Sequence, residues 1–173
     1  MITVICGTHR PQNQTLRVVE KYLEILKELH QEEDVFSMDE LPADFLASDS
    51  FGKRSEEVER LIDTKITPAE RFVIISPEYN GSYPGVLKAF FDGMDHDMWK
   101  GKKVALVGVA SGRAGNLRGM DHLTDVCHFL RMEVFSLKIP ISRWYSLVND
   151  EGEFADDDTI ALLREQATEF LKF

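Results

Sequence analysis

The sequence predicts an α/β fold in which a parallel five-stranded sheet lies between two layers of helices. Short apolar runs alternate with longer segments of helical periodicity along all 173 residues. The runs at residues 72–75 and 104–109 are continuously apolar, as in strands that are buried on both faces. Right-handed crossovers between such strands give a parallel three-layer sandwich, and five strands suggest the order 2-1-3-4-5.

The predicted elements follow one another without a linker, repeat or low-complexity segment. We therefore expect one domain over residues 1–173. In chain order the elements are strand 2–6, helix 15–29, strand 34–38, helix 55–68, strand 71–76, helix 84–94, strand 102–110, helix 117–130, strand 132–137 and helix 156–173.

The elements of the first half rest on an apolar run and two helical patterns. Gly7 ends the first strand, and apolar residues recur at helical spacing from Leu16 onward. The second strand is a short pattern, and residues 39–54 after it have the Pro, Asp, Ser and Gly content of a connection. Ser55, followed by two glutamates, is typical of a helix start, and Pro68 of its end.

The second half contains the two most regular strands. The third and fourth strands are dense in strand-forming residues and end in polar loops. Pro84 lies in the opening turn of the helix between them. The remaining helices and the fifth strand follow from the same alternation of patterns.

Composition limits the classes of partner. A formal net charge of −10 argues against binding of a nucleic-acid backbone. Cys6 and Cys127 lie in separate apolar stretches, so we expect buried thiols in a reducing compartment. The apolar N-terminal run ends at Gly7, too short for a signal peptide or a membrane span. These features indicate a cytoplasmic protein without membrane attachment.

Three loops are expected to meet at one edge of the sheet, because sheets of this order bind ligands beyond the carboxyl ends of their strands. They are the first loop (residues 7–15), the second loop (76–84) and the third loop (110–116). The first loop enters a helix directly, so free amides, the helix dipole and the Arg10 guanidinium favour a phosphate. An ordinary capped turn with a solvated arginine is the alternative.

The other two loops suit a flat ligand. A planar heterocycle can rest against Pro77 and Tyr79 of the second loop, with the amides of Tyr79 and Asn80 as donors. The third loop lets backbone approach a ligand at Gly112 and Gly115. The alternatives are a proline-bounded turn whose tyrosines close the core, and a plain glycine turn. Neither a GxGxxG fingerprint nor a P-loop is supported.

The second loop carries a specific resemblance. Pro77-Glu78-Tyr79-Asn80 with Ser82, followed by Pro84-Gly85-Val86-Leu87-Lys88, resembles the isoalloxazine loop and next helix of the NADPH-dependent FMN reductase family. Gly7-Thr8 with Arg10 is similar to the family's phosphate loop, and Ser111-Gly112-Arg113-Ala114-Gly115 to its glycine-rich loop. The likeness extends over most of the chain. It departs at Gln12-Asn13, where Gly-Ser is common, and at Asn116, at the outer edge of the site, where a second glycine is common.

The resemblance implies a flavodoxin-like fold and a set of residues that bind FMN. The residues implied for the phosphate are Thr8, Arg10, Asn13, Gln14 and Thr15; those for the ring are Pro77, Glu78, Tyr79, Asn80, Gly81 and Ser82; those near the flavin edge are Ser111, Gly112, Arg113 and Gly115.

The resemblance also implies an FMN-dependent NAD(P)H oxidoreductase. Hydride would pass from NADPH or NADH through FMN to a small acceptor: a flavin, a quinone, an azo compound or a metal oxyanion. Alternatives are a flavodoxin-type electron carrier that needs a separate reductase, and a binding protein that has lost FMN. A homodimer or homotetramer is implied. Five residues fall where its subunit surface could be, although at helical spacing such residues more often belong to the core: Phe90, Phe91, Met94, Met98 and Trp99.

Other candidate sites are weaker. The acidic residues around His96 do not have the order of a calcium loop and suit a solvated helix end. His122 and His128, six residues apart on a helix, do not share a face. No nucleophile elbow is present, so a triad hydrolase has little support.

Overall fold

A parallel sheet of six strands forms the centre of the protein. The computed structural model describes residues 1–173. The strands are β1 (Ile2–Cys6), β2 (Glu33–Ser37), β3 (Arg71–Pro77), β4 (Lys103–Val109), β5 (Glu133–Val134) and β6 (Ile139–Ile141). The helices are α1 (Thr15–Glu28), α2 (Phe45–Ser48), α3 (Glu56–Leu61), α4 (Gly85–Gly93), α5 (Leu117–Phe129) and α6 (Asp157–Phe170).

The strand order is β2-β1-β3-β4-β5, and every pair is parallel. Ile2 of β1 aligns with Arg71 of β3, which in turn aligns with Lys103 of β4, so these strands begin at the same level. Their carboxyl ends therefore reach one edge of the sheet together. The predicted order is confirmed, and β6 adds a sixth strand that pairs with β4 beyond β5.

The prediction of one continuous strand over residues 132–137 is wrong. The chain pairs with β4 over two residues, leaves it, and returns as β6. The side-chain amide of Gln166, on α6, fills the gap by donating to the carbonyls of Leu106 (3.0 Å) and Leu137 (2.6 Å). Tyr22 in turn donates its hydroxyl proton to the Gln166 amide oxygen at 3.1 Å. A buried side chain thus supplies the bonds that an unbroken strand would supply.

Both faces of the sheet are covered. Side chains of β1 alternate, with Ile5 in the core beneath α3, α4 and α5, and Val4 and Cys6 in the core beneath α1 and α6. The continuous apolar runs of the central strands follow from this double burial.

The helices follow the predicted pattern with local differences. Ser55 caps α3 by accepting the Val58 N–H, as the sequence predicts, and the helix continues as a wider turn over Ile62–Ile66. The predicted connection at residues 39–54 contains the short helix α2. The sequence left five aromatic and methionine residues between two assignments, the core and a subunit surface. Four of them belong to the core, since Phe90, Phe91, Met94 and Trp99 are buried, and Met98 is partly buried.

Two further sequence expectations concern cysteines and membranes. Cys6 and Cys127 are both buried and unpaired, and burial raises the pKa of the Cys127 thiol to about 12. No helix has both the length and the apolar character that a membrane crossing requires.

Candidate functional site

The first, second and third loops meet at a cleft beyond the carboxyl ends of β1, β3 and β4. The cleft has a volume of about 280 Å³ and is open to solvent on one side. It is lined by Arg10, Pro11, Gln12, Asn13, Gln14, Thr15, Pro77, Glu78, Tyr79, Val109, Ala110, Ser111, Trp144 and Tyr145. Eight of the fifteen residues implied by the resemblance are in this lining: Arg10, Asn13, Gln14, Thr15, Pro77, Glu78, Tyr79 and Ser111.

The first loop presents backbone N–H groups that have no partner in the chain. Asn13 uses its side chain within the loop, accepting the Leu16 N–H at 3.1 Å and donating to the Arg10 carbonyl at 3.0 Å. The N–H groups of residues 12–15 make no hydrogen bond within the chain. They precede or begin α1, whose dipole adds positive potential there. Together with the exposed Arg10 guanidinium, they form a place for an anion.

Thr8 lies beneath the cleft, not on its surface. Its side chain is fully buried, and its hydroxyl accepts the Arg10 N–H at 3.2 Å. The same oxygen is 2.7 Å from the Tyr79 hydroxyl oxygen. Cys6 lies close by, and burial raises the pKa of its thiol. Thr8 therefore connects two loops rather than facing a ligand.

The second loop is closed by a tight turn. The backbones of Tyr79 and Ser82 exchange two hydrogen bonds (2.8 and 3.1 Å), and Asn80 and Gly81 between them have positive φ. The Tyr79 N–H is hydrogen-bonded to the Ser82 carbonyl in this turn and is therefore not free to donate to a ligand ring in this arrangement. Asn80, Gly81 and Ser82 lie outside the cleft lining.

Ser82 makes a contact of its own away from the cleft. Its hydroxyl oxygen is 2.9 Å from Nδ1 of His122 on α5. His122 has no carboxylate partner to orient it, so this pair lacks the third member of a catalytic triad.

The third loop borders the cleft through Ser111 alone among its predicted residues. The carbonyl of Gly112 accepts the Arg143 N–H at 2.8 Å. Gly115 has φ +57° and packs so closely on Pro140 that a Cβ atom would lie 2.7 Å from it. Gly112, Arg113 and Gly115 are absent from the lining, so the loop shapes the cleft mainly from behind.

Asn116 has a different place from the one expected. It is fully buried, adopts a left-handed conformation (φ +62°) and donates its side-chain N–H to the Ser76 carbonyl at 3.0 Å. It therefore lies under the second loop and not at the outer edge of the site. Asparagine tolerates this conformation, which explains why it can stand where glycine is common.

Two aromatic residues of the lining were missed. Trp144 is buried, packs on Phe154 with ring centroids 5.2 Å apart, and directs its indole N–H at the Gln14 side-chain oxygen, 3.4 Å away. Tyr145 is 71% exposed at the rim. The feature of the sequence that could have indicated them is a Trp-Tyr pair shortly after the three apolar residues of β6. That strand is too short to be predicted from its pattern.

The arrangement can hold an anion at one end and a flat group beside Pro77 and Tyr79. Arg10 and Glu78 are the charged side chains of the lining. Comparison with known proteins identifies the family. A family model described as NADPH-dependent FMN reductase matches residues 1–145. The chain belongs to this family. The predicted resemblance is confirmed, and the match ends at the last residue of the cleft lining.

Individual relatives cover different shares of the chain. The 2-hydroxy-1,4-benzoquinone reductase of a Burkholderia species is 30% identical over 119 residues, which are 66% of this chain and 65% of that protein. The chain thus spans just under two thirds of the length of this relative.

Solved structures show the fold. FerB, a flavoenzyme NAD(P)H:(acceptor) oxidoreductase from Paracoccus denitrificans, superposes with a TM-score of 0.80 at 24% identity, covering 99% of this chain and 94% of FerB. A Fusobacterium nucleatum flavodoxin bound to flavin mononucleotide gives a TM-score of 0.60 at 17% identity, covering 99% and 96%. The flavodoxin-like fold predicted from the sequence is confirmed.

Proposed function

We propose that the protein is an FMN-dependent NAD(P)H oxidoreductase that passes electrons to a small acceptor. One observation carries the proposal: the loops after β1, β3 and β4 meet at a single cleft. In that cleft, backbone N–H groups of the first loop that have no hydrogen-bond partner lie near the flat side chains of Pro77 and Tyr79. Membership of the NADPH-dependent FMN reductase family supports it.

The residues of the cleft fit FMN. A phosphate needs several donors, and the first loop offers the N–H groups of residues 12–15 and the Arg10 guanidinium. A planar ring needs a flat apolar surface, which Pro77 and Tyr79 offer. The cleft, at about 280 Å³, is slightly smaller than the usual range for ligand sites. A bound mononucleotide would therefore stay partly exposed to its reaction partners.

The protein's own share of the reaction is position and electrostatics. When bound, FMN supplies the chemistry of accepting and donating hydride. We assign the N–H of Ser111, which makes no hydrogen bond in the chain, as a donor toward the ring in place of the Tyr79 amide. The backbone bond from Glu78 N–H to the Val109 carbonyl (2.8 Å) keeps the second and third loops in register. The chain's own hydrogen bonds thus hold these two loops beside each other.

The residues outside the lining have supporting roles in this proposal. Thr8, Gly112 and Gly115 hold the loops together, and Asn80, Gly81 and Ser82 form the turn that keeps Tyr79 in place. Arg113 is exposed beside the cleft, where it is available to an anionic substrate.

The acceptor and the cell compartment are also proposals. The name of the Burkholderia relative makes a quinone the first acceptor to test, ahead of azo compounds, flavins and metal oxyanions. We propose a homodimer or homotetramer, because the open side of the cleft leaves a ligand uncovered. Two unpaired buried cysteines favour a reducing compartment, so we propose the cytoplasm. We also propose that the chain acts as a single domain.

A visible absorption spectrum, recorded before and after addition of NADPH, tests the function. We expect the bands of oxidised flavin in the protein reconstituted with FMN, and their loss on adding NADPH without oxygen. Loss of the bands only when a separate reductase is present would instead indicate an electron carrier. Absence of flavin bands after reconstitution would indicate a binding protein without FMN.

Steady-state kinetics then test shared occupancy of one open face. If nicotinamide and acceptor use the same face in turn, double-reciprocal plots are parallel, as in ping-pong kinetics. Converging lines would show a ternary complex and contradict alternating occupancy.

A further inference from the structure

A hydroxyl pair joins the first and second loops beneath the cleft. Thr8 Oγ1 and Tyr79 Oη are 2.7 Å apart, although the residues are 71 positions apart in sequence. Resting on the function proposed above, we infer that Thr8 and Tyr79 are positioning residues whose hydrogen bond couples phosphate binding to ring binding. In this assignment Thr8 does not touch the phosphate.

The Thr8 hydroxyl is already occupied by the protein. It accepts the Arg10 N–H at 3.2 Å and is paired with the Tyr79 hydroxyl at 2.7 Å, where either oxygen can be the donor, so both of its neighbours are groups of the chain itself. Its side chain is fully buried and is absent from the cleft lining. A direct contact with a phosphate would require the buried Thr8 side chain to reach the cleft surface. The donors that have no partner are instead the backbone N–H groups of residues 12–15.

Tyr79 extends from the cleft surface to this buried contact. Its backbone is fixed by the two hydrogen bonds with Ser82, and the residue lines the cleft. The hydroxyl bond then determines where the tyrosine lies relative to the first loop. Arg10 belongs to the same chain of contacts, because its N–H is bonded to Thr8. A change at either hydroxyl is therefore transmitted to both halves of the site.

The experiment is a double-mutant cycle on flavin affinity. Thr8→Val, Tyr79→Phe and the double variant are compared with the unaltered chain by titrating the apoprotein with FMN and with riboflavin and following flavin fluorescence. Tyr83→Phe is the matched control, since Tyr83 lies in the same loop and its hydroxyl makes no hydrogen bond to another residue. Thr8→Ser keeps the hydroxyl and serves as the rescue variant. Thr8→Ala replaces Thr8→Val if valine prevents folding.

We expect each single variant to raise the Kd for FMN about tenfold, the size of one buried hydrogen bond. The double variant should raise it by about the same factor, because both changes remove one interaction. Riboflavin affinity should fall in the single variants as well, since the ring loop loses its support. Thr8→Ser and Tyr83→Phe should stay within about twofold of the unaltered chain.

Two results would overturn the inference. Additive losses, about a hundredfold in the double variant, would mean that the two hydroxyls act separately. A Thr8→Val variant that binds riboflavin normally but FMN weakly would identify Thr8 as a phosphate ligand. If the unaltered chain binds no FMN, the proposed function fails, and the inference fails with it. If the unaltered chain binds FMN but the variants behave in either of the two ways above, only the inference fails.

Discussion

The cleft has two walls that are built differently. The inner wall, residues 10–15 and 77–79, lies at the carboxyl ends of β1 and β3, strands of five and seven residues that each pair with two neighbouring strands. The outer wall, Trp144 and Tyr145, follows the three-residue strand β6, which pairs only with β4. Backbone pairing therefore fixes the inner wall, whereas a buried aromatic side chain fixes the outer one. Substitutions should affect the two walls in different ways.

The largest expected effect tests the anchor of the outer wall. Trp144→Ala removes a buried indole that packs on Phe154, so we expect the free energy of unfolding to fall by about 3–5 kcal/mol. Tyr145→Ala is the control, because its 71% exposed side chain should change stability by less than about 0.5 kcal/mol. Urea denaturation followed by circular dichroism measures both. Equal losses in the two variants would contradict the anchoring role of Trp144.

The next effect concerns the support beneath the inner wall. Asn116→Ala loses the bond to the Ser76 carbonyl. It also places alanine, whose side chain cannot form the hydrogen bonds that help asparagine adopt a left-handed conformation, at φ +62°. These two costs sum to about 2–3 kcal/mol of unfolding free energy. Asn116→Gly loses the bond and the buried Cβ but adopts the left-handed conformation without strain, and should cost about 1 kcal/mol. The comparison of the two variants by thermal or urea unfolding isolates the backbone term, and identical losses would exclude it.

The same contrast explains what the sequence could predict. The central strands could be predicted because burial on both faces requires a continuous apolar run. The loops after them could be predicted because they follow those runs. The break between β5 and β6 was not readable, because it depends on Gln166 bonding to the Leu106 and Leu137 carbonyls from a distant helix. Without β6, no pattern placed Trp144 at the cleft.

The site residues divide along a similar line. Loop composition alone identified Arg10, Pro77 and Tyr79 as parts of the lining. It did not reveal which polar groups are free, since that depends on partners in space. The Thr8 hydroxyl and the Tyr79 N–H both make hydrogen bonds within the protein. Free donors can be counted only when the tertiary hydrogen bonds are known.

A third effect tests the anion end of the inner wall. Arg10→Ala removes an exposed guanidinium from a loop that is held by Asn13, so folding should be unaffected while FMN affinity falls. We expect the Kd for FMN to rise by about thirtyfold, or about 2 kcal/mol, and the Kd for riboflavin to stay unchanged. Titration of flavin fluorescence measures both values. Arg60→Ala, an exposed arginine on α3 away from the cleft, is the charge-matched control. Unchanged FMN affinity in Arg10→Ala would refute the phosphate assignment.

The smallest expected effect concerns the exposed residue of the outer wall. Tyr145 is held at the rim by its neighbour Trp144 but is itself largely free of packing, which suits a contact with a planar substrate that comes and goes. Tyr145→Leu should raise the KM for a quinone about three- to tenfold, about 1 kcal/mol, while the KM for ferricyanide, which has no ring to stack, stays the same. Tyr145→Phe keeps the ring and should behave like the unaltered chain. If Tyr145→Leu instead weakens FMN binding and leaves both KM values unchanged, Tyr145 belongs to the cofactor contacts. The functional distinction between the two walls would then be wrong, although their different construction would remain.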